Sequence, residues 1–312
     1  MRNLKTESRS SLPIKFKGKR RDWSLFIISL PLMVIILLFS YVPLAGWIIS
    51  FFEYRPGLSL LTSNFVGLKY IKMIFTDRNM TKVLTNTLIF SALYFAIYWM
   101  PVAFAILLNE IQRTRFRKLV QTVSTFPHFI SWIIVYSLSF AMFSTDGVLN
   151  LFIKLFGGVE NATNLLADAD KVFTIQTAIA QWKGLGWSSI IYISAISGID
   201  QELYESAVID GAGHFRCAWN ITLPGVLPTF AVMLVVNIAG VFNTGYEQYF
   251  LFKNPVTAPK IEVLDLYVYR MGLQLGDFSY ATAVGLVKST ISLILLFIAN
   301  NISAKIRGKS IV

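Results

Sequence analysis

Long apolar runs separated by short charged connections dominate the chain. Residues 25–52, 83–109, 119–144 and 225–246 contain no Asp, Glu, Lys or Arg, and each is long enough for a helix crossing the hydrocarbon core, which takes about 20 residues. Two further stretches, 172–199 and 278–304, are also mainly apolar, but each carries one internal lysine, Lys183 and Lys288. The first of them is also interrupted by the sequence GLG at 184–186. The pattern predicts an all-α membrane protein of about six transmembrane helices. The first run follows the basic stretch KFKGKRRD, is too long for a signal-peptide core and lacks a small-residue cleavage pattern, so it is expected to be retained.

Charge sets the expected orientation. Eight Lys or Arg precede Trp23, the connection QRTRFRK carries Arg113, Arg115, Arg117 and Lys118, and Lys305, Arg307 and Lys309 follow the last run. An even number of spans places these three segments on one side, and basic short loops mark that side as cytoplasmic. The longer loops 53–82, 145–171 and 251–277 then face outward. This divides the chain into a basic cytoplasmic tail (1–23), a membrane domain (24–304) and a short cytoplasmic C-terminus (305–312), with both termini inside. Only 14% of residues are charged and 55% are hydrophobic, against roughly 25% charged in soluble domains. The net charge of +11 therefore reads as lipid-facing basic flanks rather than a nucleic-acid surface. The single cysteine, Cys217, excludes an intrachain disulfide, and His128 and His214 stand apart from any metal-binding cluster.

The cytoplasmic connection at 200–224 reads DQELYESAVIDGAGHFRCAWNITLP. Asp200 suits a helix N-cap and Glu202 its first turn. Gly211 and Gly213 offer the positive φ of a helix stop near Asp210, and residues 214–221 fit a second short helix before Pro224. Small residues at 206, 207 and 211–213 leave the turn open to close approach by a partner. From these features alone, a docking element and an amphipathic connector lying on the bilayer fit equally well.

The segment ESAVIDGAGHFRCAWNITLP resembles the EAA loop of permeases in binding-protein-dependent ABC importers. Glu205, Ala207, Asp210, Gly211, Ala212 and Pro224 fall on that motif, with Ser206 replacing its usual second alanine. The resemblance implies that Glu205, Ser206, Ala207, Asp210, Gly211, Ala212 and Gly213 belong to a coupling helix docked on a separate ATPase. Further segments, such as SLPLMVIILLFSYVPLAGWIISFFEYRPG and NFVGLKYIKMIF, are similar to permeases that import complex sugars and oligosaccharides. That implies a type I importer permease in a bacterial cytoplasmic (inner) membrane. The implied partners are a second related permease in a heterodimer, two ATPase subunits, an extracytoplasmic solute-binding protein and the carbohydrate itself. It also implies no cofactor on this chain, with ATP and Mg2+ held by the ATPase.

A sugar pathway needs aromatic faces for stacking and neutral hydrogen-bonding groups. Candidates are Trp182, Trp187 and Tyr192 beside Gln181, then Asn237, Asn243 and Tyr246 beside Glu247. Each aromatic taken singly fits interfacial anchoring better than the pathway, whereas Asn237 suits the pathway and bonding between helices alike. Asn237 and Asn243 are about 600° apart on a continuous helix and would face different sides. Lys288 is a candidate for a pathway or interhelical role, with snorkelling as its alternative. His128, after Pro127, suits a local structural role at a kink rather than a proton relay. Two other classes fit less well. A secondary transporter would show internal repeats or several midplane ionisable groups, and a membrane enzyme would show paired carboxylates or a nucleophile set. GKS near the C-terminus lacks the upstream glycine of a phosphate loop.

Overall fold

The computed structural model describes residues 18–156 and 164–307. The expected tail up to residue 17 and Lys309 lie outside them. The chain divides into two units, Met1–Ile48 and Ile49–Val312.

The first unit is a helical rod. Helix α1 (Gly18–Ile36) begins inside the tail expected to reach residue 23, passes through a wide π-turn at Leu37–Tyr41, and continues as 3-10 helix from Val42. The wide turn has a physical cause. Pro43 has no N–H to give, and its ring would press on a carbonyl one α-turn back, so the helix opens by one residue just before it. Leu32, Ile36 and Phe39 are all exposed, which suits a helix whose solvent is lipid.

The second unit contains the remaining helices. In chain order they are α2 (Lys69–Thr76), α3 (Arg78–Ala96), α4 (Met100–Asn109), α5 (Thr114–Thr125), α6 (Trp132–Phe143), α7 (Val148–Leu155) and α8 (Val172–Ser197). There follow α9 (Gln201–Ile209), α10 (His214–Cys217), α11 (Leu223–Ala239), α12 (Glu247–Phe252), α13 (Ala258–Ile261), α14 (Leu264–Tyr269) and α15 (Phe278–Arg307). Among the described residues, five stretches are long and apolar enough to cross a membrane: 26–51, 78–109, 132–155, 214–239 and 278–303. The sixth is α8, whose 26 residues reach about 39 Å at 1.5 Å each, but whose apolar character is broken by Gln176, Gln181 and Lys183.

Two expectations for these spans need correction. The GLG sequence and Lys183 do not interrupt α8, which is continuous. Instead they serve its neighbour. The uncharged run 119–144 is not one helix: α5 ends at Thr125, a 3-10 turn occupies Phe126–Phe129, and Ile130 and Ser131 are extended before α6. Such a break leaves backbone carbonyls without helical partners, a state that hydrocarbon does not tolerate. Lys183 Nζ donates to three of them, on Pro127 (3.2 Å), His128 (2.7 Å) and Ile130 (2.9 Å). Charge-assisted bonds at about 1.5–3 kcal/mol each offset the several kcal/mol that desolvating an ammonium costs. Gly186 brings the two helices together, because a Cβ there would lie 2.2 Å from the Ser124 carbonyl oxygen. A Cβ at Gly184 would meet no packing neighbour within 4 Å.

Helix α8 fixes two ends of the bundle. Its C-terminus leads to α9, and its N-terminal half packs against α13 and the turn at Leu165–Ala167. The segments after α11 are pinned at this far end: Asn86 Nδ2 donates to the carbonyls of Pro259 (2.9 Å) and Glu262 (3.1 Å), and Thr87 Oγ1 accepts the Leu264 N–H (2.9 Å). Asp77 caps α3 by accepting the Asn79 N–H and also accepts the phenols of Tyr267 (2.6 Å) and Tyr280 (3.1 Å). Burial pushes the Asp77 carboxyl up, but these hydrogen bonds outweigh it and hold the group below the usual carboxylate range.

Helix α11 also ends early. It stops at Ala239, so residues 240–246 form a second break, with Gly245 at φ +76°. Asp265 holds this break: its Oδ2 accepts the Gly245 N–H (2.8 Å), while its Oδ1 accepts from Lys288 Nζ on α15. Lys288 therefore makes an interhelical ion pair, and its side chain is largely buried.

Gly186→Ala is expected to force α5 and α8 apart at a cost of about 1–3 kcal/mol, whereas Gly184→Ala should be neutral or stabilising by up to about 1 kcal/mol. Thermal unfolding in detergent would show a lower midpoint only for the first. Lys288→Met should destabilise by about 1–3 kcal/mol because it strands a half-buried carboxylate, and adding Asp265→Asn should recover part of the loss. Strictly additive losses in the same unfolding assay would contradict a coupled pair.

Candidate functional site

The two helix breaks meet at one cavity. It has a volume of about 320 Å³ and is walled by α3, by Trp132 at the start of α6, by Thr177 and Ala180 of α8, by the 240–244 segment and by α12. Phe90, Tyr94, Phe95, Trp132 and Tyr249 supply ring surface; Asn237, Asn243, Thr244 and Gln248 supply neutral polar groups; and among the described residues no charged side chain lines it. Asn237 Nδ2 donates to the Tyr98 hydroxyl (2.9 Å) and the Met233 carbonyl (2.8 Å). Gln248 Nε2 donates to Gln176, both its backbone carbonyl and its Oε1 (2.8 Å each). Thr244 Oγ1 is buried with no hydrogen-bond partner among the described residues. Aromatic faces beside unspent neutral donors and acceptors can hold an uncharged polyol by stacking and hydrogen bonding.

The predicted pathway residues scatter around this cavity. Asn237 and Asn243 both line it. The expectation that they face different sides fails because the helix ends between them, and the chain turns back through an Asn243 N–H bond to the Gly240 carbonyl (2.7 Å). Tyr192 instead sits in the core, 2% exposed, among Val102, Ala105, Ile196 and Val226. Trp182 lies over a shallow apolar pocket with Leu119, Val123 and Pro127. Trp187 stacks flat on His128, with centroids 4.5 Å apart and planes 1° from parallel, so His128 belongs to the broken span's packing. Tyr246 stacks on Tyr269 at 4.7 Å, outside the cavity. Gln181 Nε2 is buried without a partner among the described residues.

Trp132, Tyr94, Phe95, Thr244 and Gln248 were not anticipated. The sequence holds a signal for the first: FPHFISW places a tryptophan just after a proline-centred break, and a break lining a cavity is where irregular backbone survives in a membrane. Nothing in the local pattern distinguishes Tyr94 and Phe95 from lipid-facing aromatics.

At the other end of α8, the 200–224 connection forms the expected helix and turn. Asp200 Oδ1 accepts the Glu202 N–H (3.1 Å), α9 ends at Ile209 with Asp210 as its C-cap, and Gly211 takes φ +80° while the Ala212 N–H bonds to the Ala207 carbonyl (2.9 Å). Gly213 differs from expectation. Its φ is −80°, it caps α10, and its position has no steric need for glycine. The second helix also does not stop before Pro224. α10 runs through a π-turn at Ala218–Thr222 into α11 without interruption, using the same device as before Pro43.

Glu205, Ser206, Asp210, Gly211 and Gly213 are exposed, while Ala207 and Ala212 are half-buried. Val208 (64% exposed) and Ile209 (86%) present an apolar tip. The tip has two fixings. Tyr204 Oη and Thr222 Oγ1 are 2.9 Å apart, tying α9 to the π-turn, and His214 Nδ1 lies 3.0 Å from Glu110 Oε2 at the end of α4.

Known proteins resemble this chain over most of its length. The chain is 40% identical over 304 residues to the polygalacturonan/rhamnogalacturonan transport system permease protein YteP of Bacillus subtilis, covering 97% of this chain and 93% of that one. It is 38% identical over 288 residues to protein LplB of the same organism, covering 92% and 90%. A chain in the crystal structure of a bacterial alginate ABC transporter, in complex with an alginate pentasaccharide-bound periplasmic protein, superposes with a TM-score of 0.84 at 32% identity, covering 93% of this chain and 97% of that one. Residues 100–308, which include the α9 turn and the 240–244 wall of the cavity, match the family described as binding-protein-dependent transport system inner membrane component, and the chain belongs to that family.

Proposed function

We propose that this chain is one of two permeases in an ATP-driven oligosaccharide importer, forming half of the translocation pathway and one of its two mechanical couplings. The observation that carries this reading is the pairing, in one molecule, of an exposed helical tip fixed to two spans with a charge-free aromatic and amide cavity. The tip alone would suit any importer of the family. The cavity narrows the cargo to a solute with neutral hydrogen-bonding groups and ring faces, which is the chemistry of a sugar unit. The sugar and polysaccharide substrates in the names of its relatives point the same way.

Orientation follows from charge. Arg113, between α4 and α5, and Arg115, Arg117 and Lys118, at the start of α5, lie at the end of the bundle that carries α9, and a basic short connection belongs in the cytoplasm. The α9 tip then meets an ATPase there, and the far end receives a solute-binding protein. ATP and Mg2+ belong to the ATPase. When two ATPase subunits close, each moves the coupling helix seated in it, and the paired permeases turn their cavities from one side of the membrane to the other. This chain hydrolyses nothing; it converts displacement of α9 into displacement of α4 and α11. Glu205, Ser206, Ala207, Asp210, Gly211, Ala212 and Gly213 make the docking surface. Trp132, Asn237, Asn243 and Thr244 contribute to the wall that the sugar passes.

The test begins with affinity purification of the tagged chain in mild detergent. A second permease and an ATPase should copurify, and ATP hydrolysis should respond to loaded binding protein. Gly211→Val should reduce that response about tenfold or more, because a β-branched residue at φ +80° costs at least about 1–2 kcal/mol and rebuilds the turn, and Glu205→Ala should weaken ATPase retention. Recovery of the chain alone, catalysing uptake without ATP, would overturn the reading. Trp132→Ala should lower sugar uptake while leaving the copurified subunits unchanged; uptake equal to that of the unaltered protein would remove Trp132 from the pathway.

A further inference from the structure

The central cavity carries no charged side chain, so it does not record whether the oligosaccharide bears charge. The other side of α12 does. This short helix is a partition: Gln248 and Tyr249 face the cavity, while Phe250 and, just past the helix, Lys253 line a separate open cleft of about 460 Å³. Arg270 and Gln274 form part of its opposite wall.

Three features of the cleft converge. The first is ring surface: Phe250, 42% exposed, meets Tyr269 edge-on at 5.5 Å, and Tyr269 is stacked on Tyr246. Tyr246 directly precedes α12 and lies two residues after the 240–244 segment that walls the central cavity. The second is an oriented cation. Arg270 Nε is held by Glu262 Oε1 at 2.5 Å and its guanidinium lies 5.2 Å from the Tyr267 ring centroid, which fixes the plane and leaves further N–H donors unspent. The third is an unspent cation. Lys253 has no carboxylate partner among the described residues, whereas nearby Lys260 is satisfied by Asp170 at 2.9 Å. The concavity is therefore cationic in excess, aromatic on one side, and within the roughly 300–1,000 Å³ range of small-molecule sites.

We propose that this cleft is an entry subsite for a carboxylated sugar unit, a uronate of the incoming oligosaccharide, whose carboxylate pairs with Lys253 and Arg270 while its ring lies against Phe250. The proposal rests on the reading of the chain as an oligosaccharide importer with its far end outward. Charge is then recognised at the mouth, and the neutral cavity beyond α12 handles the rings. A flat acidic surface of the binding protein would also meet these cations, but a cleft with a ring at its wall fits a small acid better than a protein face.

The test uses the complete complex of both permeases and the ATPases in nanodiscs, without binding protein. The probes are trigalacturonate and its methyl ester, which have the same rings with and without charge, and the readout is saturation-transfer NMR. The acid should receive transfer from the unaltered complex, and Lys253→Met should reduce it about fivefold, the upper end for one exposed ion pair. Arg270→Lys, which keeps the charge and spares Glu262 its partner, should reduce it less, and the ester should be insensitive to both. Equal transfer to acid and ester, or an unchanged signal in Lys253→Met, would overturn the proposal. So would loss of substrate-free binding-protein docking in Lys253→Met with sugar transfer intact, which would assign the cleft to the protein partner. A complex that, moved into liposomes with its binding protein, imports uncharged oligosaccharides but shows none of these effects refutes the subsite alone; one that imports no oligosaccharide there refutes the reading beneath it.

Discussion

One ammonium group makes the membrane domain possible in this form. A transmembrane segment that abandons its helix midway exposes carbonyls to a solvent that cannot bond them, and each would cost several kcal/mol. Lys183 answers three such carbonyls at once, those of Pro127, His128 and Ile130. Its location on α8 means that the repair of one span is made by another. The ammonium also lies 5.4 Å from the Trp132 ring centroid, so the group that closes the break also sits beside the first cavity residue after it.

The second break repeats this logic with opposite charge. At residues 240–246 it is a backbone donor, the Gly245 N–H, that needs an acceptor; Asp265 provides it and is itself balanced by Lys288. Lys183 and Lys288 are thus both consumed by architecture. That explains how a domain with buried cations can have a cavity lined by none: their charges are spent on carbonyls and a carboxylate behind its walls. Neutrality of the cavity follows from the way the two irregular segments are held.

Much of this was legible in the sequence, and the rest was not for identifiable reasons. The apolar runs, the α9 turn with Asp200 as cap and Gly211 as stop, and the kink at Pro127 could be read because each depends on residues close together in the chain. What Lys183 does could not be read, since its partners lie more than fifty residues away. The same holds for Gly186, which looks like a helix breaker locally and is a contact point for Ser124 in three dimensions. Asn237 and Asn243 were misplaced relative to each other because an apolar run shows no sign of where hydrogen bonding stops. Tyr192 looked like a stacking residue and is a core residue, a distinction set entirely by the neighbouring α4 and α11.

The attachment of α9 has a mechanical corollary. A rod pinned at a single point swivels when pushed and passes on little but tension. The α9 turn is pinned at two, by Tyr204 on the base of α11 and by His214 against the end of α4. Two separated pins resist swivelling and form a couple, so a sideways push on the tip reaches the bundle as torque on two spans together. The stiffness of that gearing depends on two side-chain contacts, each made by a polar group at the rim of the membrane.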